Sequence, residues 1–134
     1  MRACDVVCRF FFHEGSAMTY KFEKLEVGQL AVEYFDLICQ IAEQLPKNEE
    51  YNLRSQIIRA ATSIALNIAE GSTGQSDAEQ NRFLGMALRS LIETVACLHL
   101  IKRRNYVPVE AIQPVYVFGE KLSIKLQAFR KALN

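Results

Sequence analysis

The sequence predicts an all-α protein with the architecture of an antiparallel, up-down-up-down four-helix bundle. From residue 27 onward, apolar residues recur at the three- and four-residue spacing of one helix face. Prolines, glycines and polar turns divide this pattern into four segments joined by only a few residues, and short connections favour antiparallel neighbours. No segment shows the alternation of apolar and polar residues that is typical of a half-buried strand.

The first predicted helix begins near Val27 and ends at Pro46, because proline cannot continue a helix. Its apolar positions repeat every three or four residues, so we expect them to face a common core. They are Val27, Leu30, Ala31, Tyr34, Ile38, Ile41, Ala42 and Leu45.

The second predicted helix runs from about Glu50 to Glu70, with Gly71 as its C-terminal stop. Its core positions are Leu53, Ile57, Ala60, Ala61, Ile64 and Ile68. Further apolar residues lie outside that set, and a helix that is apolar most of the way round is buried on more than one side. The sequence therefore predicts a homo-oligomer with Ile58 and Leu66 at the interface. A broader core face is the alternative.

The third predicted helix runs from about Asp77 to Arg104, after a polar turn in which Ser76 or Asp77 can cap it. The side chains expected to face inward are Leu84, Ala87, Leu88, Leu91, Ile92, Val95, Leu98 and Ile101. The fourth helix starts at Pro108, and Pro114 is tolerated near its N-terminus or bends it. Its predicted core residues are Val109, Ile112, Tyr116, Leu122, Leu126, Phe129 and Leu133.

Residues 1–19 are predicted to form an N-terminal extension that is poorly ordered or weakly packed, and residues 20–134 the bundle domain. Charged residues interrupt the apolar run that a signal peptide would need. Cys4, Cys8 and His13 lack the spacing of a zinc module. Since no CxxC pair occurs, the four cysteines favour a reduced, cytoplasmic protein. No apolar run approaches the roughly 18 residues of a membrane span, so we expect no membrane partner.

The sequence lacks the residue spacings that common chemistry in helical bundles requires. A di-iron bundle requires Glu-x-x-His pairs, and neither His13 nor His99 follows a glutamate by three residues. Ser63 and Ser90 have no nearby histidine to activate them. The glycine-containing turn after the second helix does not have the strand-to-helix context of a phosphate loop. We therefore expect no enzymatic activity, no metal and no cofactor.

Basic residues concentrate in the C-terminal part of a chain whose net charge is only +1. Residues 101–134 contain seven lysines and arginines against two glutamates, which gives a local net charge of +5. Such a segment favours an anionic partner, and its cations are the candidate nucleic-acid contacts. They are Lys102, Arg103, Arg104, Lys121, Lys125, Arg130 and Lys131. A solvated helix surface is the alternative interpretation.

A line of polar residues accompanies the core positions of the second helix at helical spacing. Comparable spacing on the third helix suggests that the two sets meet across a seam between the helices. The predicted polar seam consists of Arg59, Ser63, Asn67, Glu70, Ser90 and Glu93. Because partly buried polar groups need partners, we interpret the seam as structural, fixing register and partner choice. A ligand-binding or catalytic site is the alternative.

The run SQIIRAATSIALNIAEG, followed after a polar turn by FLGMALRSLIETVACL, resembles the four-helix bundle protein family of bacterial 23S ribosomal RNA intervening sequences. The resemblance covers residues 20–128. Its most specific part is Ser63, Asn67, Ile68, Ala69, Glu70 and Gly71. The chain departs from the family pattern at Arg89, where a small residue is common, and at Gly28, where an aromatic residue is common.

The resemblance implies a homo-oligomeric, pentameric ring without enzymatic activity. The chain is also similar to the accessory variability determinant of diversity-generating retroelements, which binds a reverse transcriptase and nucleic acid through a basic surface. We therefore expect a non-enzymatic adaptor that binds RNA, DNA or a nucleic-acid-handling protein. The alternative is a purely structural homo-oligomer that binds a small protein or peptide.

Overall fold

The computed structural model describes residues 18–74 and 76–134, and all regular structure in these residues is helical. The helices are α1, Lys21–Lys24; α2, Glu26–Glu43; α3, Ser55–Gly71; α4, Asp77–Arg103; and α5, Val109–Leu133. A 3-10 turn, Lys47–Glu49, and a π-helical turn, Glu50–Arg54, connect α2 to α3. The prediction of an all-α protein is confirmed. Nearly all of the predicted N-terminal extension, including Cys4, Cys8 and His13, lies outside the described residues.

Local sequence explains both ends of α4. At its start, Ser76 Oγ accepts a hydrogen bond from the backbone N–H of Glu79 at 3.1 Å, which satisfies one of the free donors of the first turn. At its end, Asn105 has a φ of 58°, a left-handed conformation that asparagine tolerates well. The N–H of Asn105 donates to the Lys102 carbonyl, and the N–H of Tyr106 donates to that of Ile101. This Schellman pair stops the helix sharply.

The core lies between the four long helices. α3 packs against both α2 and α4, and α5 packs against both α4 and α2. The largest fully buried side chains come from all four helices. They are Tyr34, Ile38, Ile41, Ile57, Ile64, Ile68, Leu84, Leu91, Leu98, Ile101, Leu122 and Leu126. Burial of each large aliphatic side chain contributes about 1.5–3 kcal/mol, so this shared core is the main source of stability.

Two predicted core positions are wrong. Ile92 is 61% exposed and Val109 is 46% exposed. Adjacent residues of a helix point about 100° apart, so the complete burial of Leu91 turns its neighbour Ile92 outward. Val109 is the first residue of α5, at the edge of the core. Conversely, the polar residues Gln80 and Thr94 are buried, although their residue types excluded them from the predicted core.

Helix α5 approaches α2 closely at a glycine. A Cβ atom on Gly119 would lie 3.1 Å from the hydroxyl oxygen of Tyr34 and 3.3 Å from its ring. The Tyr34 ring also stacks on Phe118, with 6.1 Å between ring centroids and 7° between planes. The absence of a side chain at position 119 therefore allows α5 to pack directly on the buried tyrosine.

Helix α4 has the length and hydropathy of a membrane-spanning segment, contrary to the sequence-based expectation that no such run exists. It has 27 residues and a window of mean hydropathy 1.5. Within the bundle, 39% of that window is buried, and α4 packs between α3 and α5. A core helix meets the same criteria, so this finding is weak evidence for a membrane span. The absence of a membrane partner and the cytoplasmic location stay predictions.

Candidate nucleic-acid interface

Three consecutive cations are exposed at the C-terminal end of α4. Lys102, Arg103 and Arg104, here called the basic end, follow the last buried turn of the helix. The Arg104 guanidinium lies 5.6 Å from the centre of the Tyr106 ring, and its Nε donates to the Tyr106 hydroxyl at 3.3 Å. That hydrogen bond raises the pKa of Arg104 above its ordinary value. Lys102 and Arg103 form no ion pair within the described residues. The basic end therefore presents three positive charges to solvent.

The other four predicted nucleic-acid contacts are distributed along α5 rather than joined to the basic end. Lys121 lies 5.8 Å from the Phe118 ring centre, and Lys125 Nζ pairs with Glu26 of α2 at 3.3 Å. Arg130 lies on the side facing α4, where its Nε donates to Asn81 at 2.7 Å. Lys131 is exposed near the C-terminus of α5, a helix about 37 Å long at 1.5 Å per residue.

The seven cations thus do not form one surface. They point toward α2, toward α4 and into solvent, and those on α5 approach the end of the bundle opposite the basic end. Lys125 is partly neutralised by its acidic partner, and Arg130 is held by an amide. Among the described residues, only the basic end combines adjacency and exposure with the absence of ion pairs, although Glu49 is near enough to contribute to the raised pKa of Arg104.

The polar seam contains a hydrogen bond between α3 and α4. Ser90 Oγ of α4 donates to Ser63 Oγ of α3 at 2.9 Å. Asn67 Nδ2 donates to the Ser63 carbonyl at 2.8 Å and to Ser63 Oγ at 3.0 Å. Both bonds of Asn67 therefore remain within α3, and Ser63 is the residue that reaches the neighbouring helix. The arrangement orders side chains and leaves no activated nucleophile.

The remaining seam residues differ from one another. Glu93 accepts a hydrogen bond from Gln56 Nε2 at 2.8 Å, which gives a second α3–α4 contact. Arg59 and Glu70 are exposed, and their side chains have no hydrogen-bonding partner within the described residues. Sequence reasoning missed Gln56, although it precedes Ser63 by seven residues and so lies on the same side of the helix.

The apolar surface is more widely distributed than the predicted interface. Leu66 is 56% exposed on α3, whereas Ile58 is half-buried and packs against the core. Other exposed apolar side chains lie on α4 and α5. They include Ile92, Leu100, Val117 and Ile124. Leu66 is therefore the better probe of assembly, because changing Ile58 would also disturb the core.

The described residues contain no group of three or more His, Cys, Asp or Glu residues placed to hold a metal ion. His99 makes an edge-to-face contact with Tyr116 at 6.0 Å. Burial raises the pKa of the Cys97 thiol, and Glu93 raises it further. Burial likewise raises the pKa of Cys39, aided by Asp36 and Glu43. Since the thiolate is the reactive form, these shifts disfavour nucleophilic chemistry.

Fold and surface together define an all-helical bundle with exposed cationic and apolar residues. The chain matches the 23S rRNA-intervening sequence protein family over residues 23–128, and it belongs to that family. It is similar to the crystal structure of a protein of unknown function from the S23 ribosomal protein family of Bacteroides thetaiotaomicron. The two are 27% identical with a TM-score of 0.73, covering 78% of this chain and 98% of the other. No functionally curated protein matches the chain.

Proposed function

We propose that this protein is a non-enzymatic, self-associating helical bundle that binds nucleic acid, or a nucleic-acid-handling protein, through its basic end. The observation that carries the proposal is the run Lys102, Arg103 and Arg104, exposed at one end of the bundle. Exposed lysines and arginines contact phosphates and release the counterions condensed there, which drives binding without sequence preference. The rigid turn at Asn105 fixes the position of this run relative to the bundle.

We also propose that the four long helices run antiparallel to their neighbours. Contacting residues pair in opposite order along adjacent helices, as an up-down-up-down bundle requires. The pairs are Gln56 with Glu93 and Ser63 with Ser90 between α3 and α4, and Glu26 with Lys125 and Tyr34 with Gly119 between α2 and α5.

Self-association is the second part of the proposal. An isolated bundle gains nothing from the exposure of Leu66, whereas burial of its exposed part, 56% of the residue, against a second copy would contribute about 1–1.5 kcal/mol. Repeated use of one such contact between different faces generates a ring when the rotation between copies closes, and the family resemblance favours a ring of five copies. Several copies would bring several basic ends to one strand, which raises the overall affinity.

A second candidate function is the binding of a peptide or small protein by a purely structural assembly. A groove of about 220 Å³ between α4 and α5 favours this alternative. Its lining includes Ile92, Val95, Tyr116 and Ile124, a mostly apolar set that suits an amphipathic segment. This function predicts no salt-dependent affinity for RNA or DNA.

Fluorescence anisotropy with labelled RNA and DNA oligonucleotides tests the proposal. Replacing Lys102, Arg103 and Arg104 by glutamine should weaken binding by about tenfold or more, because three phosphate contacts are removed. Replacing Lys21, Lys24 and Arg59 by glutamine is the matched control, since it removes the same charge at exposed sites that are away from the basic end and were not predicted to contact nucleic acid. Equal losses in both variants would contradict a localised interface, and no binding by the unaltered protein would favour the peptide-binding alternative.

A further inference from the structure

A second group of cations lines a cleft between α4 and α5 that the proposed function does not use. The cleft has a volume of about 520 Å³. It is lined by Arg82, Gly85, Met86, Leu88, Arg89, Ile92, Ser123, Gln127 and Arg130. Arg82 and Arg89 are seven residues apart, two turns along the same side of α4. Arg130 approaches them from α5. Three arginine residues therefore line one cleft, although the Arg82 guanidinium lies over the Phe83 ring at 4.7 Å, and no acidic residue is among the lining.

Arg130 is held by a hydrogen bond to Asn81, which is itself bonded to Asn134. Its Nε donates to Asn81 Oδ1 at 2.7 Å, and Asn81 Nδ2 in turn donates to the side-chain oxygen of Asn134 at 2.7 Å. The guanidinium lies directly over Gly85, where a Cβ atom would be 3.3 Å from both Cζ and Nη2. No hydrogen bond within the described part of the chain occupies Nη1 or Nη2. These two groups are therefore pre-positioned donors for a ligand.

The other two arginines differ in how available their positive charge is to a ligand. Arg82 forms a two-point contact with Glu79, with Nη2–Oε1 at 2.6 Å and Nε–Oε2 at 3.3 Å. Arg89 is exposed and has no ion pair among the described residues. Counting Glu79, the group retains a net charge of +2. The apolar side chains of Met86 and Ile92 border the same space.

We propose that this cleft, here called the arginine cleft, binds a phosphate group, with Arg89 and Arg130 as its direct contacts and Arg82 as a supporting charge. The planar guanidinium fork matches the oxygens of a phosphate, and Arg130 offers such a fork with its own position fixed. Ser123 and Gln127 add polar groups at the edge. A small phosphorylated compound and the backbone of a nucleic-acid strand share this chemistry.

The arginine cleft is distinct from the basic end. Arg89 and Arg103 are 14 positions apart on α4, about 21 Å at 1.5 Å per residue. A ligand in the cleft thus contacts the N-terminal half of α4, whereas the proposed nucleic-acid contacts lie at its C-terminus. Substitutions can therefore abolish binding at the arginine cleft and at the basic end separately. A negative result for one site leaves the proposal for the other site unaffected.

Isothermal titration calorimetry of the full chain with pyrophosphate at low salt tests whether the arginine cleft binds phosphate. Arg89→Gln and Arg130→Gln should each weaken binding by about tenfold or more, the loss expected for one charged hydrogen-bonding partner. Arg59→Gln is the matched control, because it removes an exposed arginine of α3 that lies outside both the cleft and the basic end, and it should change affinity by less than about twofold. Absence of pyrophosphate binding by the unaltered protein, or an equal loss in the control, would overturn the proposal.

Two further measurements keep the test decisive. Since Arg130 is half-buried, Arg130→Gln can disturb the α4–α5 contact, whereas Arg89 is exposed and its substitution leaves packing intact. Retained pyrophosphate binding by Arg89→Gln with native helicity therefore counts against the site.

Competition with a single-stranded oligonucleotide identifies the source of the phosphate. Displacement of pyrophosphate supports a nucleic-acid strand in the cleft, and no displacement supports a small phosphorylated compound.

Discussion

Tyr34 donates the hydrogen of its hydroxyl to Thr94 Oγ1, 2.8 Å away in the fully buried centre of the bundle. The direction follows because threonine has one hydroxyl hydrogen, and that of Thr94 goes to the Leu91 carbonyl at 2.6 Å. The bond links α2 to α4 across the core. A buried polar pair of this kind constrains which residues can face each other, and so helps to select one register of the helices.

Removing the acceptor, Thr94 Oγ1, should lower the free energy of unfolding more than removing the donor, the Tyr34 hydroxyl. Thr94→Val leaves the Tyr34 hydroxyl buried without a partner, and we expect a loss of about 1–3 kcal/mol in the free energy of unfolding. Tyr34→Phe should cost less, because Thr94 keeps its bond to Leu91. Urea unfolding of both variants and of the double variant measures the coupling. Fully additive losses would show that the hydrogen bond contributes nothing specific.

The same tyrosine predicts a pH dependence of stability. Burial raises the pKa of Tyr34, the hydrogen bond to Thr94 opposes that shift, and the neighbouring Cys97 adds to it. The unfolded chain ionises its tyrosines near pH 10, whereas folded Tyr34 remains neutral there. Its contribution is therefore complete below about pH 10 and is lost as the pH rises through the folded pKa.

This pH effect can be isolated from other titrating groups by comparison with Tyr34→Phe. In urea unfolding experiments we expect the stability difference between the two proteins to be constant up to about pH 9 and to decrease as the pH rises above about 10 toward the folded pKa. Lysines and the remaining tyrosines titrate in both proteins and cancel in the difference. A difference that stays constant above about pH 10 would contradict an elevated pKa for Tyr34.

Substitution of Gly119 should show how tightly α5 packs on Tyr34. The tyrosine is bonded to Thr94 and stacked on Phe118, so it cannot move aside for a new side chain. Gly119→Val should destabilise the bundle by about 1–3 kcal/mol through overpacking. Gly85→Val is the control, because its side chain would meet only the end of the Arg130 side chain, which borders an open cleft and need shift by only a few tenths of an ångström. Equal unfolding free energies for the two variants would show that the space at Gly119 is not limiting.

Self-association should depend on Leu66. Leu66→Glu places a charge on an exposed part of α3, so the helix content should remain native while the mass in solution falls. Val109→Glu is the control, since Val109 is also exposed but lies at the start of α5. Light scattering and circular dichroism measure both properties. An unchanged mass for Leu66→Glu would place the interface elsewhere, with the exposed residues of α4 and α5 as the next surface to alter.

Helical periodicity predicted most of the fold, because burial of one face repeats every three or four residues. It placed the start of α4 at about Asp77, with Ser76 or Asp77 as the cap, and the structure shows α4 beginning at Asp77 with Ser76 as its cap. It placed the start of the second helix at about Glu50, whereas regular α-helix begins at Ser55 after a π-helical turn. An apolar spacing cannot distinguish a wider turn of helix from an ordinary one over so short a stretch.

The candidate sites were less predictable, because their geometry depends on residues far apart in sequence. A count of charges found the basic end but could not show that Glu26 neutralises Lys125 or that Asn81 holds Arg130. Thr94 was missed because its residue type is polar, although its spacing from Leu91 and Leu98 fits the buried face. Local spacing predicts which side of a helix a residue occupies, and only packing determines its partner.

The central claim is that the basic end binds nucleic acid electrostatically, and a salt series tests it most directly. The affinity for a duplex should fall linearly on logarithmic axes, with a slope that becomes shallower by about 2.7 per bound protomer when Lys102, Arg103 and Arg104 are replaced by glutamine. The mass of the protein, measured in the same samples, should remain constant. An unchanged slope in the variant, or no binding at low salt by the intact assembly, would contradict the account.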